Sequence, residues 1–223
     1  MRNNLSQLIS LSKIEEKLYR PADAYELSRV TRMEHVKTTI VETPQEGIAA
    51  VAARIAKLIN RREANGQKTV LSLASGRSMR DLFVELVRLH KEEGLSFKNV
   101  VVFGSYEFYP LSDTTSGSMA QIQSQLLEHV DILPENVHTF PGDLPKEDVF
   151  AFCEEYEKAI VEAGGIDVQV LGIGQCGNIA MNEPGTQPNS STRLVIMDGN
   201  SRVDVKSLFG NVTQVPTCAI TLG

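Results

Sequence analysis

Apolar residues in this chain follow two alternating patterns, short continuous runs and longer stretches with helical spacing. Continuous runs are typical of strands buried on both faces, whereas repeats of three or four residues are typical of helices that cover a sheet. The predicted strands are 39–42, 69–73, 99–103, 137–140, 167–171, 191–197 and 218–222. The predicted helices are 22–33, 44–64, the segment from the turn 74–78 to Gly94, 117–130 and 146–163. This alternation predicts right-handed crossovers between parallel strands, hence a three-layer α/β sandwich with a mainly parallel, doubly wound sheet.

The pattern also predicts the domain organisation. Residues 1–36 are expected to form an N-terminal extension, because a proline at position 21 interrupts whatever precedes it. Residues 37–223 are expected to form one α/β domain, a length sufficient for a sizeable core. The final strand, 218–222, is as apolar as a strand covered on both faces, but no helix follows it. We therefore expect this domain to be incomplete at its C-terminus, either as a fragment or as part of a longer polypeptide.

Composition excludes several classes of protein. The chain is 42% hydrophobic and 22% charged, and no run approaches the roughly 18 apolar residues of a membrane span. A net charge of -6 without a Lys/Arg run argues against a nucleic-acid partner. Three cysteines without C-x-x-C spacing favour reduced thiols over a disulfide framework or structural zinc. We expect a cytoplasmic protein with no membrane or nucleic-acid partner, no metal site and no cofactor.

A glycine-rich loop at 172–184 follows a predicted strand, where open α/β sheets place their ligands. Its glycines spell the G-x-G-x-x-G fingerprint of dinucleotide binding, and Asp198 lies about 20 residues further on, as that fingerprint requires. The fingerprint also needs a sustained helix whose N-terminus holds the pyrophosphate. Here Pro184 and Pro188 would end a helix within about two turns. We therefore predict a short or absent helix after Gly177 and no bound dinucleotide.

The same loop, GIGQCGNIAMNEP, resembles the signature G-x-G-x-D-G-H-I-A-F-N-E-P of the glucosamine-6-phosphate deaminase family, within the glucosamine-6-phosphate isomerase and 6-phosphogluconolactonase superfamily. In that family the histidine acts in ring opening, and the aspartate and glutamate orient it. The resemblance implies that Glu183 is the one catalytic residue retained. Cys176 replaces the aspartate and is either a small apolar filler or a nucleophile activated by helix amides. Asn178 replaces the histidine and can bond a sugar hydroxyl but cannot shuttle a proton.

A second segment, 101–111, resembles the family's strand-end motif F-N-M-D-E-Y-x-x-L. The resemblance implies that this aspartate moves the proton between C1 and C2 of the opened sugar, a task that suits a carboxylate. Tyr106 occupies its position, and an ordinary pKa of about 10 makes tyrosine a poor base at neutral pH. Glu107 is adjacent, but consecutive residues of a strand point in opposite directions. We expect Tyr106 to form an aromatic wall of a pocket and Glu107 not to replace the acid.

The turn 74–78 between a strand and a helix is a candidate anion site. Its glycine permits a tight turn, its hydroxyls add donors, and the helix presents free N–H groups. By itself, such a turn is more typical of an ordinary helix cap. The family has P-T-G-G-T-P here and binds the sugar phosphate with it, so the resemblance implies that Arg77, which replaces the second glycine, either pairs with the phosphate or obstructs it. The implied phosphate-binding residues of the turn are Ser75, Gly76, Arg77 and Ser78.

The resemblance extends to the C-terminal part of the chain. Arg193 matches the arginine of the family's S-x-T-R segment, which can serve phosphate contacts. Ser207 stands where the family has a further phosphate-binding arginine. Arg193 is therefore a predicted ligand-binding residue. The family's other arginine has no counterpart, because Ser207 stands at its position.

These resemblances imply a diverged deaminase-like domain of amino-sugar and carbohydrate metabolism. The replacements at Tyr106, Asn178 and Cys176 favour binding of a sugar phosphate with little or no deaminase turnover, because members of a catalytic unit are missing. The alternative is an active sugar-phosphate isomerase or deaminase, or a lactonase-type hydrolase, with altered catalytic residues. The protein is expected either to form a homo-oligomer or to carry a fused C-terminal domain, and the sequence leaves both alternatives open.

Overall fold

The computed structural model describes residues 22–30, 32, 36 and 38–223. The predicted extension 1–36 lies mostly outside these residues. The helices are α1 (Ala24–Val30), α2 (Pro44–Ala64), α3 (Arg77–Glu93), α4 (Ser118–Gln125), α5 (Val149–Glu162) and α6 (Gly199–Val205). The strands are β1 (Thr69–Leu73), β2 (Val100–Gly104), β3 (Tyr106–Tyr109), β4 (Val137–His138), β5 (Val168–Val170), β6 (Arg193–Ile196) and β7 (Cys218–Thr221). No helix in the described part of the chain is long and apolar enough to cross a membrane.

Residues up to 50 and residues from 51 onward belong to two compact units. In the first unit, side chains cap the start of α2, where Thr43 accepts the N–H of Glu46 at 3.2 Å and Glu46 accepts the N–H of Glu42 at 3.2 Å. At the start of α1, Asp23 likewise accepts the N–H of Glu26, and Glu26 accepts the N–H of Ala22. The predicted strand 39–42 is wrong, because these residues contain no regular element.

The second unit contains a four-stranded parallel sheet in the order β4-β2-β1-β5. Its central strands β1 and β2 are buried along their whole length. Leu71 and Leu73 pack on one side of the sheet with apolar residues of α3, α4 and the part of α2 that belongs to this unit, from residue 52 onward. Val70 and Val101 pack on the other side with α5. Helices therefore cover both faces, and the predicted three-layer α/β class is confirmed.

A second sheet, in the order β3-β7-β6, is antiparallel. The last two predicted strands form as β6 and β7, but their expected parallel pairing is wrong. The sequence pattern also did not reveal β3, which follows β2 after the single residue Ser105. Ser105 joins the sheets, because its N–H donates to the carbonyl of Leu73 and its carbonyl accepts the N–H of Leu222.

Several predicted boundaries are confirmed where they position the site. The helix α3 buries Leu82, Leu86 and Leu89 and ends at Gly94, whose φ of 73° closes the helix in the left-handed region. Residues 177–198, all of them described, contain no helix. The structural condition of the dinucleotide fingerprint is therefore not met. Asp198 instead caps α6, where its carboxylate accepts the N–H of Asn200 at 2.8 Å.

Candidate functional site

A cavity of about 390 Å³ opens at the carboxyl ends of the parallel strands. One wall is the turn after β1 with the start of α3, a second is the glycine-rich loop, and a third is α6 with the residues that follow it. Tyr106 contributes from β3. The volume is that of pockets that bind small molecules. Of the predicted site residues, the cavity is lined by Ser75, Gly76, Arg77, Ser78, Tyr106 and Asn178.

The turn at the start of α3 leaves backbone donors free. Gly76 precedes the helix with φ 132° and ψ 174°, and no described side chain caps it. The N–H groups of Arg77 and Ser78 have no hydrogen-bond acceptor among the described residues. The hydroxyl of Ser75 is shared with Tyr106 rather than with helix amides. The interpretation as an ordinary side-chain cap therefore has no support, and free amides with the positive end of the helix dipole border the cavity.

Two arginines accompany these amides. Arg77 and Arg80 are both exposed, both line the cavity, and neither forms an ion pair within the part of the chain that the structure describes. Sequence reasoning missed Arg80. Its spacing of three residues from Arg77 is the signal, because residues three apart lie on one face of a helix. This wall is cationic and open to solvent.

Tyr106 is buried, with 7% of its surface exposed. Its hydroxyl lies 2.8 Å from the Ser75 hydroxyl. Burial raises the pKa of the phenol above its ordinary value, and the Ser75 hydrogen bond only partly offsets this. The phenol therefore stays neutral near pH 7 and cannot act there as a general base.

Glu107 points away from the cavity, as strand alternation predicted. It lines a separate depression on the other side of β3. Its carboxylate accepts N–H groups of Ser118 at 2.7 Å and Met119 at 2.9 Å, at the start of α4. A Cβ at Gly117 would lie 2.7 Å from the same carboxylate, so that glycine permits the approach. Burial raises the pKa of Glu107, although the amide donors oppose the shift. The side chain anchors α4.

Asn178 stabilises the loop in which it lies. Its Nδ2 donates to the carbonyl of Ala180 at 3.0 Å, and Ala180 itself has a φ of 51°. The Asn178 side chain crosses so close to Gly174 that a Cβ at that position would collide with the amide. Gly174 therefore permits this close packing, and the Asn178 side chain stabilises the loop.

The remaining predicted site residues lie outside the residues that line the cavity. Arg193 donates to the Asn182 side chain at 2.8 Å and to the Ser191 carbonyl at 3.2 Å. Glu183 accepts the N–H of Asp198 at 3.1 Å, and its other carboxylate oxygen is buried without a partner among the described residues. Cys176 is a half-buried free thiol. For residues outside the masked segments, no three His, Cys, Asp or Glu side chains are arranged to hold a metal ion.

Comparison with known proteins gives consistent results. The model of the family "Glucosamine-6-phosphate isomerases/6-phosphogluconolactonase" matches residues 42–204. Over its whole length the chain is 43% identical to a glucosamine-6-phosphate deaminase-like protein of Bacteroides thetaiotaomicron, but it spans only 34% of that relative. It is 39% identical to the glucosamine-6-phosphate deaminase of Bacillus pumilus, over 75% of this chain and 69% of the relative.

Solved structures with a similar fold include a glucosamine-6-phosphate deaminase and a 6-phosphogluconolactonase. A monomeric glucosamine-6-phosphate deaminase superposes with a TM-score of 0.74 at 32% identity, covering 81% of this chain and 73% of that one. A 6-phosphogluconolactonase from Thermotoga maritima, at 22% identity and a TM-score of 0.59, covers 78% of this chain and 72% of its own. The second likeness shows the fold alone.

Proposed function

Because the chain belongs to the glucosamine-6-phosphate isomerase and 6-phosphogluconolactonase family, we propose that it binds a sugar phosphate in the cavity beside Tyr106 and catalyses little or no deamination. The proposal concerns this domain, which spans about a third of the length of its deaminase-like relative in Bacteroides thetaiotaomicron. Its principal support is the identity and environment of the residues that stand where the family has its proton-transferring groups.

Those positions offer no group that can accept and return a proton near neutral pH. Tyr106 is buried with its pKa raised by desolvation. Glu107 is held by amides of α4 on the far side of β3. Asn178 has no titratable proton, and its amide group bonds its own loop. Loss of the members of a catalytic unit leaves only the modest acceleration that binding and positioning provide.

The start of α3 supports the binding of a sugar phosphate in this cavity. The free N–H groups of Arg77 and Ser78 can donate to a phosphate oxygen at the N-terminus of a 17-residue helix. The guanidinium groups of Arg77 and Arg80 add positive charge and donors that suit phosphate. This arrangement suits a small phosphorylated ligand.

The test combines calorimetry with an assay of ammonia release from glucosamine 6-phosphate, with the Bacillus pumilus deaminase as a positive control. We expect glucosamine 6-phosphate to bind the purified chain saturably in the calorimeter. We expect the ammonia assay to show no release above background. Robust turnover that is lost in Glu183→Gln, with that variant still folded by circular dichroism, would instead establish the active isomerase or deaminase. Absence of binding to any sugar phosphate would leave the domain a structural one and refute the proposal.

A further inference from the structure

The α6 wall of the cavity carries polar side chains that the family resemblance does not explain. Ser201 and Asp204 lie three residues apart, so they share one face of α6, and both line the cavity. Ser201 is only 4% exposed, and its hydroxyl has no hydrogen-bond partner among the described residues. A buried hydroxyl without a partner costs free energy, and such groups in folded proteins are usually satisfied by something. A bound ligand would satisfy this one.

Asp204 adds a negative charge to the same wall. It is half-buried, and its carboxylate forms no hydrogen bond or ion pair with another residue in the described part of the chain. Ser207, where the family has a phosphate-binding arginine, lines the cavity one turn further along. The third wall has therefore lost a cation and contains an anion. A phosphate placed there would be repelled by the carboxylate.

The two walls thus have opposite charge. Arg77 and Arg80 border the cavity at the start of α3, whereas Asp204 borders it on α6. We propose that Ser201 and Asp204 form a second subsite, which binds an ammonium group of the ligand while its phosphate lies against α3. This assignment rests on the proposed function, since it assumes that the cavity holds a phosphorylated sugar. It predicts a ligand that carries both charges.

The chemistry of the two side chains defines their roles. The Asp204 carboxylate accepts charge-assisted hydrogen bonds from an ammonium, which are roughly twice as strong as neutral ones. The Ser201 hydroxyl can donate to a neighbouring sugar oxygen or accept from a sugar hydroxyl. Asp204 determines the preference for an amine, Ser201 contributes affinity for the sugar, and neither takes part in a bond-breaking step. A sugar phosphate of the same size without an amine would leave the carboxylate without a cationic partner.

Calorimetry with two ligands in mildly acidic buffer, where the sugar amine is protonated, tests the assignment. We expect the wild type to bind glucosamine 6-phosphate at least about tenfold more tightly than glucose 6-phosphate, the factor that one good charge-assisted bond provides. In Asp204→Asn this preference should disappear, because the affinity for glucosamine 6-phosphate falls while that for glucose 6-phosphate stays the same or rises. Glu155→Gln, which removes one exposed charge on α5, is the matched control and should keep the preference.

Ser201→Ala separates a binding role from a structural one. Because the hydroxyl bonds no other described residue, its removal should leave the melting temperature unchanged or raise it, while it weakens binding of both sugar phosphates several-fold. A lowered melting temperature with unchanged affinity would assign Ser201 to the core and remove it from the subsite.

The outcomes distinguish this inference from the proposed function. If the wild type binds both sugar phosphates equally, and Asp204→Asn changes nothing, the acidic subsite is refuted and sugar-phosphate binding stands. If the wild type binds neither sugar phosphate, nor inorganic phosphate used as a probe, both proposals are refuted.

Discussion

Two sides of the cavity, the start of α3 and the side formed by Tyr106 and Asn178, differ in whether their polar groups form hydrogen bonds within the protein. At the start of α3, the amides of Arg77 and Ser78 and the guanidinium of Arg80 have no partner among the described residues. At Tyr106 and Asn178, on the opposite side, the polar atoms form hydrogen bonds with the protein itself. Tyr106 bonds Ser75, and Asn178 bonds its own loop. Substitutions at the start of α3 should therefore change affinity, whereas substitutions at the internally bonded groups should change stability.

The largest effect is expected at Glu107, which follows Tyr106 in β3 but lies on the far side of that strand from the cavity. Glu107→Ala removes a buried carboxylate that accepts three N–H groups, two of them at the start of α4. We expect a loss of about 3 kcal/mol in the free energy of unfolding, because buried donors lose their acceptor and a cavity is left. Urea denaturation measures this. An effect below about 0.5 kcal/mol, as at an ordinary surface position, would show that Glu107 does not anchor α4.

On the cationic side, substitutions should change affinity and not stability. Arg77→Gln and Arg80→Gln should each weaken sugar-phosphate binding by roughly tenfold, since each removes a charged donor to phosphate. Their melting temperatures should match the wild type, because neither side chain has a described partner. Arg54→Gln, an exposed position on α2 outside the cavity lining, is the matched control.

A separate variant tests the orientation of Arg77. Arg77→Gly removes the charge but restores the second glycine that the family has in this turn. We expect weaker binding, as calorimetry measures, because the lost positive charge should outweigh the space gained. Tighter binding by this variant would show that the Arg77 side chain obstructs the pocket.

Sequence reasoning succeeded where local signals determine structure. The glycines at 76 and 94 and the leucine spacing place α3, and the alternation of a strand separates Tyr106 from Glu107. It failed for the antiparallel sheet, because β3 pairs with β7 more than 100 residues away and nothing in its four residues specifies that partner. Sequence reasoning also missed the α6 wall of the cavity, with Ser201 and Asp204. Its helix, α6, has seven residues and too few apolar positions for a periodic signal.

A smaller effect on stability is expected from Tyr106→Phe. This substitution removes the hydroxyl that lies 2.8 Å from Ser75 and keeps the buried ring. We expect a loss of about 1 kcal/mol in the free energy of unfolding, typical of one neutral hydrogen bond. Ammonia release should stay at background in both proteins. A deaminase activity in the wild type that falls in this variant would restore a catalytic role to the phenol.

The smallest effect concerns the pH dependence of stability at Glu107. Burial raises its pKa in the folded protein above that of an unfolded glutamate. Between these two pKa values the folded state binds the proton more, so stability falls as the pH rises through that window. The contribution is complete below the unfolded pKa and lost above the folded one.

Glu107→Gln removes this titration but keeps an acceptor of similar shape. The stability of the wild type relative to this variant should therefore decrease as the pH rises from about 4 toward neutrality. Urea denaturation of both proteins across that range measures the difference, and Glu155→Gln corrects for the general effect of removing one negative charge. A difference that instead grows with pH would mean that the amides of Phe108, Ser118 and Met119 outweigh burial and lower the pKa. Glu107 would then be an ionised cap of α4 at all pH values at which the protein is folded.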